Sequence, residues 1–305
     1  MIKNKIKSLD QLMECLSDEI KIDSEEYLYQ YQKFTEPVVK KLSNKVDVFI
    51  FDVSLKNEIV INAREVKDYK IQAEETKKIL DINIKKLLEN KDLGYIYLFT
   101  NYEQKYLKNE KIVNILVNID TDKLMYERVL CMASFVNSKL FQNPTCFVDT
   151  DAFVKIDLIN LFEYSFDIAL THRDDGSKMP INEGVLFVNN QNKERIKLFF
   201  DEYTRNYRII SKSKAVKKYY GMNLDLWRGG QLSLNMIAYN NGSKFRDYEL
   251  IKKKNFTLMM LPVYYYNFTP INNKNYTLKF LKLKKVLHFK GNLKKYLDKI
   301  KLMTQ

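Results

Sequence analysis

The chain has 305 residues, of which 46% are hydrophobic and 29% charged. That is the composition of a soluble globular protein, with length for one large core or two small ones. Eight glycines and five prolines argue against flexible linkers, and no stretch approaches the ~20 apolar residues that cross a bilayer. The formal charge of +13 admits affinity for nucleic acid or an anionic membrane. Lys, Asn, Ile and Tyr are used heavily throughout, however, so compositional drift accounts for the total equally well.

Residues 8–42 read as helical. Ser8 is placed to N-cap, with Gln11 as its capping-box partner, and Leu9, Leu12, Met13, Leu16 and Ile20 form one apolar face. A second helix is expected from Ser24, kinked or interrupted at Pro37. The run 46–53 reads as the first buried strand, 69–89 as a long helix, 95–100 and 112–117 as strands, and 121–140 as a helix with Met125, Val129, Ala133, Val136 and Leu140 inward. A strand at 145–149 follows, then strands at 167–171 and 184–189, helices at 191–206, 211–220 and 229–240, and strands at 256–261 and 286–287. Strands alternating with helices predict an α/β fold, a Rossmann-like, mostly parallel sheet flanked by helices. We read a helical N-terminal extension (1–44), one catalytic domain (45–294) and a basic C-terminal segment (274–305). The basic start lacks a following apolar core, so no signal peptide is expected and the expected location is cytoplasmic. Cys15, Cys131 and Cys146 have neither metal nor redox spacing and read as small buried hydrophobes of a reducing compartment.

Asp149 and Asp151 stand between apolar residues in Cys146-Phe147-Val148-Asp149-Thr150-Asp151-Ala152-Phe153-Val154. On an extended chain the two carboxylates point the same way. Burying both is unfavourable without a cation or a cluster of donors, and a divalent metal carrying a substrate phosphate is the commonest remedy. Taken alone, the pair also fits a solvated turn. Its place at the carboxyl end of a strand in a parallel sheet, where such folds bind ligands, favours a site.

Later segments add candidates. Asn182 and Gly184 mark the mouth of a strand, where an amide can bind sugar hydroxyls and a glycine admits a ligand to the backbone; an ordinary strand entry fits equally. Gln231 lies near a helix start, facing a site or merely opening the helix. Leu261-Pro262-Val263-Tyr264-Tyr265-Tyr266-Asn267 reads as a core strand followed by a turn. His288 suits Mn²⁺ beside two carboxylates, and Lys294 suits a diphosphate as a point charge. A half-buried strand-end histidine and solvated lysines are the alternative.

The ordered series resembles the GT-A-fold glycosyltransferases, particularly the retaining, metal-dependent family 8 that includes glycogenin and bacterial lipopolysaccharide galactosyl- and glucosyltransferases. The resemblance rests on Asp-x-Asp (149–151), the upstream helix with Tyr126-Glu127-Arg128, Asn-x-Gly (182–184), Gln231 at a helix start, Leu-Pro-x-x-x-x-Asn (261–267) and His-x-x-Gly-x-x-Lys (288–294), together covering about residues 45–294. It implies that Asp149, Asp151 and His288 hold Mn²⁺ (or Mg²⁺), which in turn holds the diphosphate of a nucleoside-diphosphate sugar. It further implies that Arg128, Thr150, Asn182, Gly184, Gly291 and Lys294 contact the donor, that Gln231 lies beneath the anomeric carbon, and that Asp52 reads the nucleobase. The expected activity is hexosyl transfer from a UDP-sugar to a glycan or lipid-linked acceptor, with retention. The chain departs from the pattern in three places: the first strand lacks an evident nucleobase signature, Phe51-Asp52-Val53 being the nearest match; Gly230 precedes Gln231 where an acid is usual; and Lys295-Tyr296 follow the last lysine where Pro-Trp is common.

Three rival readings have distinct signatures. An inverting enzyme needs a carboxylate base near the acceptor, and Asp174 and Asp175 are the visible candidates, in a loop that also reads as solvated. A nucleic-acid binder needs basic residues interleaved with stacking aromatics along one groove; it leaves Asp149 and Asp151 without a role, and no such motif appears. A nucleotidyltransferase wants a glycine-rich phosphate loop after the first strand, and residues 52–60 contain no glycine. Between Lys274 and Lys301 ten lysines and a single acid alternate with aliphatic and aromatic residues. This pattern suits peripheral contact with an anionic membrane; a solvated helix face fits the same residues.

Overall fold

A computed structural model describes residues 6, 8–22, 31–54, 66–103, 109–155, 159–173, 179–220, 229–239, 244–270 and 278–289. The strands are β1 (Val46–Phe51), β2 (Leu93–Thr100), β3 (Ile112–Leu116), β4 (Thr145–Val148), β5 (Ala152–Val154), β6 (Ile168–His172), β7 (Ile181–Val188), β8 (Leu250–Lys252), β9 (Thr257–Pro262) and β10 (Val286–His288). The helices are α1 (Leu9–Ile22), α2 (Val66–Leu88), α3 (Leu124–Val136), α4 (Lys193–Lys212), α5 (Lys214–Tyr220), α6 (Gly229–Ala238), α7 (Val263–Tyr266) and α8 (Leu278–Lys282). Eight strands form one sheet in the order β3-β2-β1-β4-β7-β6-β9-β8. The pairs β1–β2, β2–β3, β1–β4 and β6–β9 are parallel. Those involving β7 or β8 are antiparallel. The sheet is the mostly parallel α/β type that the alternation of elements predicts.

Alternation within β1 shows how the layers arise. Phe49 and Phe51 point to the face covered by α3, α4 and α6, where they pack with Phe135, Phe147, Phe200 and Leu234. Val48 and Ile50 point to the opposite face and meet Leu80, Ile84 and Leu87 of α2. A strand buried on both sides must be apolar at every position, and all six residues of β1 are buried. The exception is Asp47, which sits at the amino end of the sheet with its Oδ1 accepting from the Tyr95 N–H (2.7 Å) and the Asn143 amide (3.2 Å). Burial pushes its carboxyl up to about 7.

Because β4, β6 and β9 share one direction and β7 opposes them, one edge of the sheet gathers the carboxyl ends of β1, β4, β6 and β9 and the start of β7. A second, two-stranded sheet lies over this edge. There β5 pairs antiparallel with β10, setting His288 opposite Ala152. Asn83 of α2 fastens this ribbon by donating to the Ala152 carbonyl (2.8 Å) and accepting from the Val154 N–H (3.1 Å).

The main differences from the sequence expectation are local. Residues 31–42 are not helical. Pro37 breaks any continuing ladder, and the segment instead packs Tyr31, Phe34 and Val39 against the core on the α3/α4 side, with the Tyr31 hydroxyl donating to Asp201 (2.6 Å). The strand expected from 184 begins at Ile181, so Asn182 and Gly184 lie within β7 rather than ahead of it. The tyrosines after Pro262 form the short helix α7 rather than a turn. Helix α3 ends at Val136, short of Leu140. Strands β5 and β8, each of three residues, are too short to carry a periodic signal. Ser8 does cap α1, accepting from the Gln11 N–H at 3.2 Å, and α1 packs Leu12, Met13 and Leu16 against Ile210, Ala215, Val216 and Leu232. All three cysteines are free, with Cys131 and Cys146 buried. No helix among the described residues is long and apolar enough to cross a membrane. Of the basic C-terminal segment, residues 290–305 lie outside the described residues, as do Asp174 and Asp175.

Candidate functional site

The peptide leaving β4 turns sharply at 149–151. The Asp149 N–H donates to the Gly184 carbonyl (3.0 Å), the Ala152 N–H donates back to the Asp149 carbonyl (3.0 Å), and the Phe289 N–H donates to the Asp151 carbonyl (2.9 Å). These bonds tie the turn to β7 on one side and to the end of β10 on the other. The result brings His288 Nε2 to 2.9 Å from Asp151 Oδ1 and 3.5 Å from Asp149 Oδ2. Ligand atoms from the three residues all lie within 4.8 Å of one another, so residues far apart in the chain meet at one point.

A chain of hydrogen bonds orients the imidazole. The Thr171 hydroxyl donates to the Asn182 carbonyl (3.1 Å), and the Asn267 amide nitrogen donates to that hydroxyl (3.2 Å). This fixes the Asn267 Oδ1 toward His288 Nδ1, 2.8 Å away. An amide oxygen is only an acceptor, so Nδ1 carries the proton, and Nε2 faces the carboxylate oxygens at a distance that calls for a proton or a cation between them. Asn267 and His288 are both buried. Two carboxylate oxygens and a neutral imidazole nitrogen suit a divalent cation such as Mn²⁺, and an outer acceptor on the far ring nitrogen is the usual support of a metal-ligating histidine.

Gly184 makes the cluster possible. A Cβ at 184 would lie 2.4 Å from His288 Cε1 and 2.7 Å from Asp149 Oδ2. The sequence reading gives this glycine to a ligand; the structure shows that the His288 and Asp149 side chains themselves fill the space. Asn182 is 1% exposed, and its Oδ1 accepts from the Gly184 N–H at 3.1 Å, while its Nδ2 has no protein partner.

Arg128 approaches from the opposite face of the sheet. Its Nη2 lies 2.9 Å from Asp149 Oδ1 and its Nη1 lies 2.8 Å from Glu183 Oε1. Asp149 therefore turns one oxygen toward Arg128 and the other toward His288. Burial works against the charge on Arg128, but the Asp149 and Glu183 carboxylates more than offset this and hold the guanidinium above its ordinary value. Burial likewise pushes the Glu183 carboxyl up, and Arg128 pulls it back. Glu183 also accepts from the Tyr203 hydroxyl at 3.0 Å.

Gln231 sits in the first turn of α6, half-buried, directly after Gly230. A Cβ at 230 would fall 2.2–2.3 Å from the Glu183 carboxylate. The volume that an acidic side chain at 230 would take is thus occupied by a carboxylate from β7. Thr150 lies at the apex of the 149–151 turn, partly exposed. Asp52 follows β1 and accepts from the Tyr102 hydroxyl at 2.6 Å. It belongs to the same edge of the sheet but not to the Asp149–Asp151–His288 cluster. Gly291 and Lys294 lie outside the described residues. Sequence reasoning assigned no role to Asn267, Glu183 or Tyr203. The available signal was Glu183, the one charged residue in the buried strand Ile181–Val188, which such a strand tolerates only when the charge is paired.

No protein-family model matches the chain, and no curated protein matches it in sequence. Among solved structures it resembles the glycosyltransferase GlyE of Streptococcus pneumoniae TIGR4, at 17% identity over 85% of this chain and a TM-score of 0.46. This chain spans 61% of the GlyE structure. It also resembles the galactosyltransferase LgtC, solved with donor and acceptor sugar analogs (10% identity, 85% of this chain, 95% of that one, TM-score 0.45). A third similar structure is the apo form of mouse xyloside xylosyltransferase 1 (10% identity, 81% of this chain, 99% of that one, TM-score 0.46).

Proposed function

We propose that this protein is a metal-dependent, retaining glycosyltransferase. It takes a hexose from a nucleoside-diphosphate sugar, with UDP-sugars as first candidates, and passes it to a glycan or lipid-linked acceptor. The observation that carries this reading is the meeting of Asp149, Asp151 and His288 Nε2, with all ligand atoms inside 4.8 Å. A divalent cation held there would supply Lewis-acid stabilisation of the departing diphosphate.

The chain's own residues have defined work around that point. Arg128 adds a fixed positive charge at the rim of the cluster, where negative charge grows as the glycosidic bond breaks. The resemblance implies donor contacts for Asn182 and Gly184; we assign the unpartnered Asn182 Nδ2 to the sugar, while Gly184 serves the donor indirectly, by leaving room for His288 and Asp149. Gln231, at the head of α6, is assigned to the anomeric centre, where an oxocarbenium-like state develops. Thr150 and Asp52 are assigned to the donor on the same basis, the latter to the nucleobase, and Gly291 and Lys294 to the diphosphate.

The test is a screen of UDP-, GDP- and ADP-sugars with hydrolysis as readout, with and without Mn²⁺, on wild type and Asp151→Asn. We expect cleavage of at least one donor, dependent on Mn²⁺ and reduced about a hundredfold or more by the substitution, as for loss of a charged group acting on a transition state. Cleavage undiminished by chelation and by Asp151→Asn would remove the metal reading. The anomeric configuration of the transfer product, read by NMR, decides retention.

A further inference from the structure

Glu183 is the unspecified residue of Asn-x-Gly, yet it is among the most tightly held side chains at the site. It is 3% exposed, its Oε1 accepts from Arg128 Nη1 (2.8 Å) and the Tyr203 hydroxyl (3.0 Å), and its carboxylate fills the volume in front of Gly230. Arg128 is 4% exposed and also reaches the Glu183 carbonyl (3.2 Å) and Asp149 Oδ1 (2.9 Å). Pairing Arg128 required only Asp149. Burying a second carboxylate on its other side is costly by itself, so the second acid needs a reason.

The reason follows from what Asp149 must do. A cation bound to Asp149 and Arg128 bound to Asp149 compete for one negative charge. Were Asp149 the only partner of Arg128, cation binding would leave a buried guanidinium unpaired beside a dication. With Glu183 in place, Arg128 keeps a partner on its inner side. We propose that Glu183 is a positioning residue: it neutralises and holds Arg128 so that Asp149 is free for a divalent cation, and Gly230 is the position that makes room for it. This rests on the cation reading given under Proposed function. Glu183, Asp149 and Asp151 together outweigh Arg128 by two negative charges. Without Glu183 the excess falls to one, and the guanidinium turns its whole charge on Asp149.

The proposal is tested on the full chain by Mn²⁺ titration followed by EPR, with no sugar nucleotide present. Glu183→Gln is expected to weaken Mn²⁺ binding about tenfold. Adding Arg128→Ala to it is expected to bring binding back to within about threefold of wild type, because the competitor is gone. A role in packing alone gives no such rescue. Should Glu183→Gln fail to fold, a relocation pair serves instead. Glu183→Ala and Gly230→Asp should each lower the melting temperature and Mn²⁺ affinity. The double variant, which moves the carboxylate from β7 to the head of α6, should exceed both single variants in both measures. Wild-type affinity in Glu183→Gln, a loss that Arg128→Ala deepens, or a relocation pair whose defects simply add would overturn the assignment while leaving the metal site standing. A wild-type protein that binds no Mn²⁺ would overturn the metal reading and this inference with it.

Discussion

Gly184→Ala is the sharpest single perturbation of the cluster. The added Cβ would stand 2.4 Å from His288 Cε1, 2.7 Å from Asp149 Oδ2 and 2.9 Å from His288 Nδ1. Carbon–carbon contact is comfortable only from about 3.4 Å, so the imidazole must retreat by about 1 Å or the strands must part. The ring has nowhere easy to go. It is 2% exposed, its Nδ1 is held by Asn267 at 2.8 Å, and its backbone is paired with β5. A retreat of that size stretches the 2.9 Å contact between Nε2 and Asp151 and takes the third ligand out of reach of a cation seated on the carboxylates. Disturbing the support of one ligand typically costs about 10–100-fold in metal affinity, and an extra methyl in a packed interior costs about 1–3 kcal/mol of stability. Mn²⁺ titration by calorimetry, with melting followed by circular dichroism, separates the two effects. We expect the affinity loss with the protein still folded. A Gly184→Ala protein that binds Mn²⁺ within twofold of wild type, with the same melting temperature, would show that the ring has room and that the cluster is not built as argued.

Three further expectations follow from neighbouring groups. Asn267→Ala removes the acceptor that fixes the proton on His288 Nδ1, and Mn²⁺ affinity should fall about tenfold or more; unchanged affinity would mean that the tautomer is set elsewhere. Asp47 titrates near 7 in the folded state against 3.8 when unperturbed, so the native protein holds a proton that the unfolded chain releases. Its favourable contribution is complete below about pH 4 and is lost as pH rises to about 7, amounting to at most about 4 kcal/mol. Urea unfolding between pH 4 and 8 should show stability falling across that window, and Asp47→Asn, which keeps an acceptor for the Tyr95 N–H, should flatten it; an equal slope in the variant refutes the assignment. Lys284 buries its ammonium among Tyr264, Phe280, Phe268 and Tyr265, with Nζ 3.0, 4.0, 4.7 and 4.9 Å from the ring centroids. Lys284→Ala should therefore destabilise by about 2 kcal/mol or more, with Lys284→Arg closer to wild type, as read from urea midpoints.

The layers were legible because the physics that builds them is local. A strand buried on both faces has to be almost wholly apolar, and 48–51, 96–99 and 146–148 are such runs. An amphipathic helix shows its stripe at every third or fourth residue, as 191–206 does. Residues 31–42 differ from the expectation because Tyr31, Phe34 and Val39 anchor an irregular segment to the core through long-range contacts. Within that window only Pro37 argues against a helix. Strand β5 was hidden for another reason: its three residues become a strand only because β10 and Asn83 meet them.

At the site, legibility follows the same division. Asp149 and Asp151 announce themselves because two charges beside an apolar run need an explanation wherever they occur. His288 needs the β5–β10 register before it has any meaning, and the chain's scarcity of histidine made it worth placing in advance. Gly230 is the instructive case. Set against the family pattern it reads as a missing acid, and in the fold it is the space into which Glu183 is packed. Neither residue is informative alone: a glycine at a helix start is ordinary, and a glutamate in a strand is merely costly. Together they keep a negative charge at the head of α6, where the helix dipole favours it, and beside the arginine that also pairs with Asp149. The contact between Glu183 and position 230 joins two elements only through space, so neither position reveals it when read alone. The relocation pair described above measures that directly, since moving the carboxylate back to position 230 should be tolerated only when Glu183 is gone.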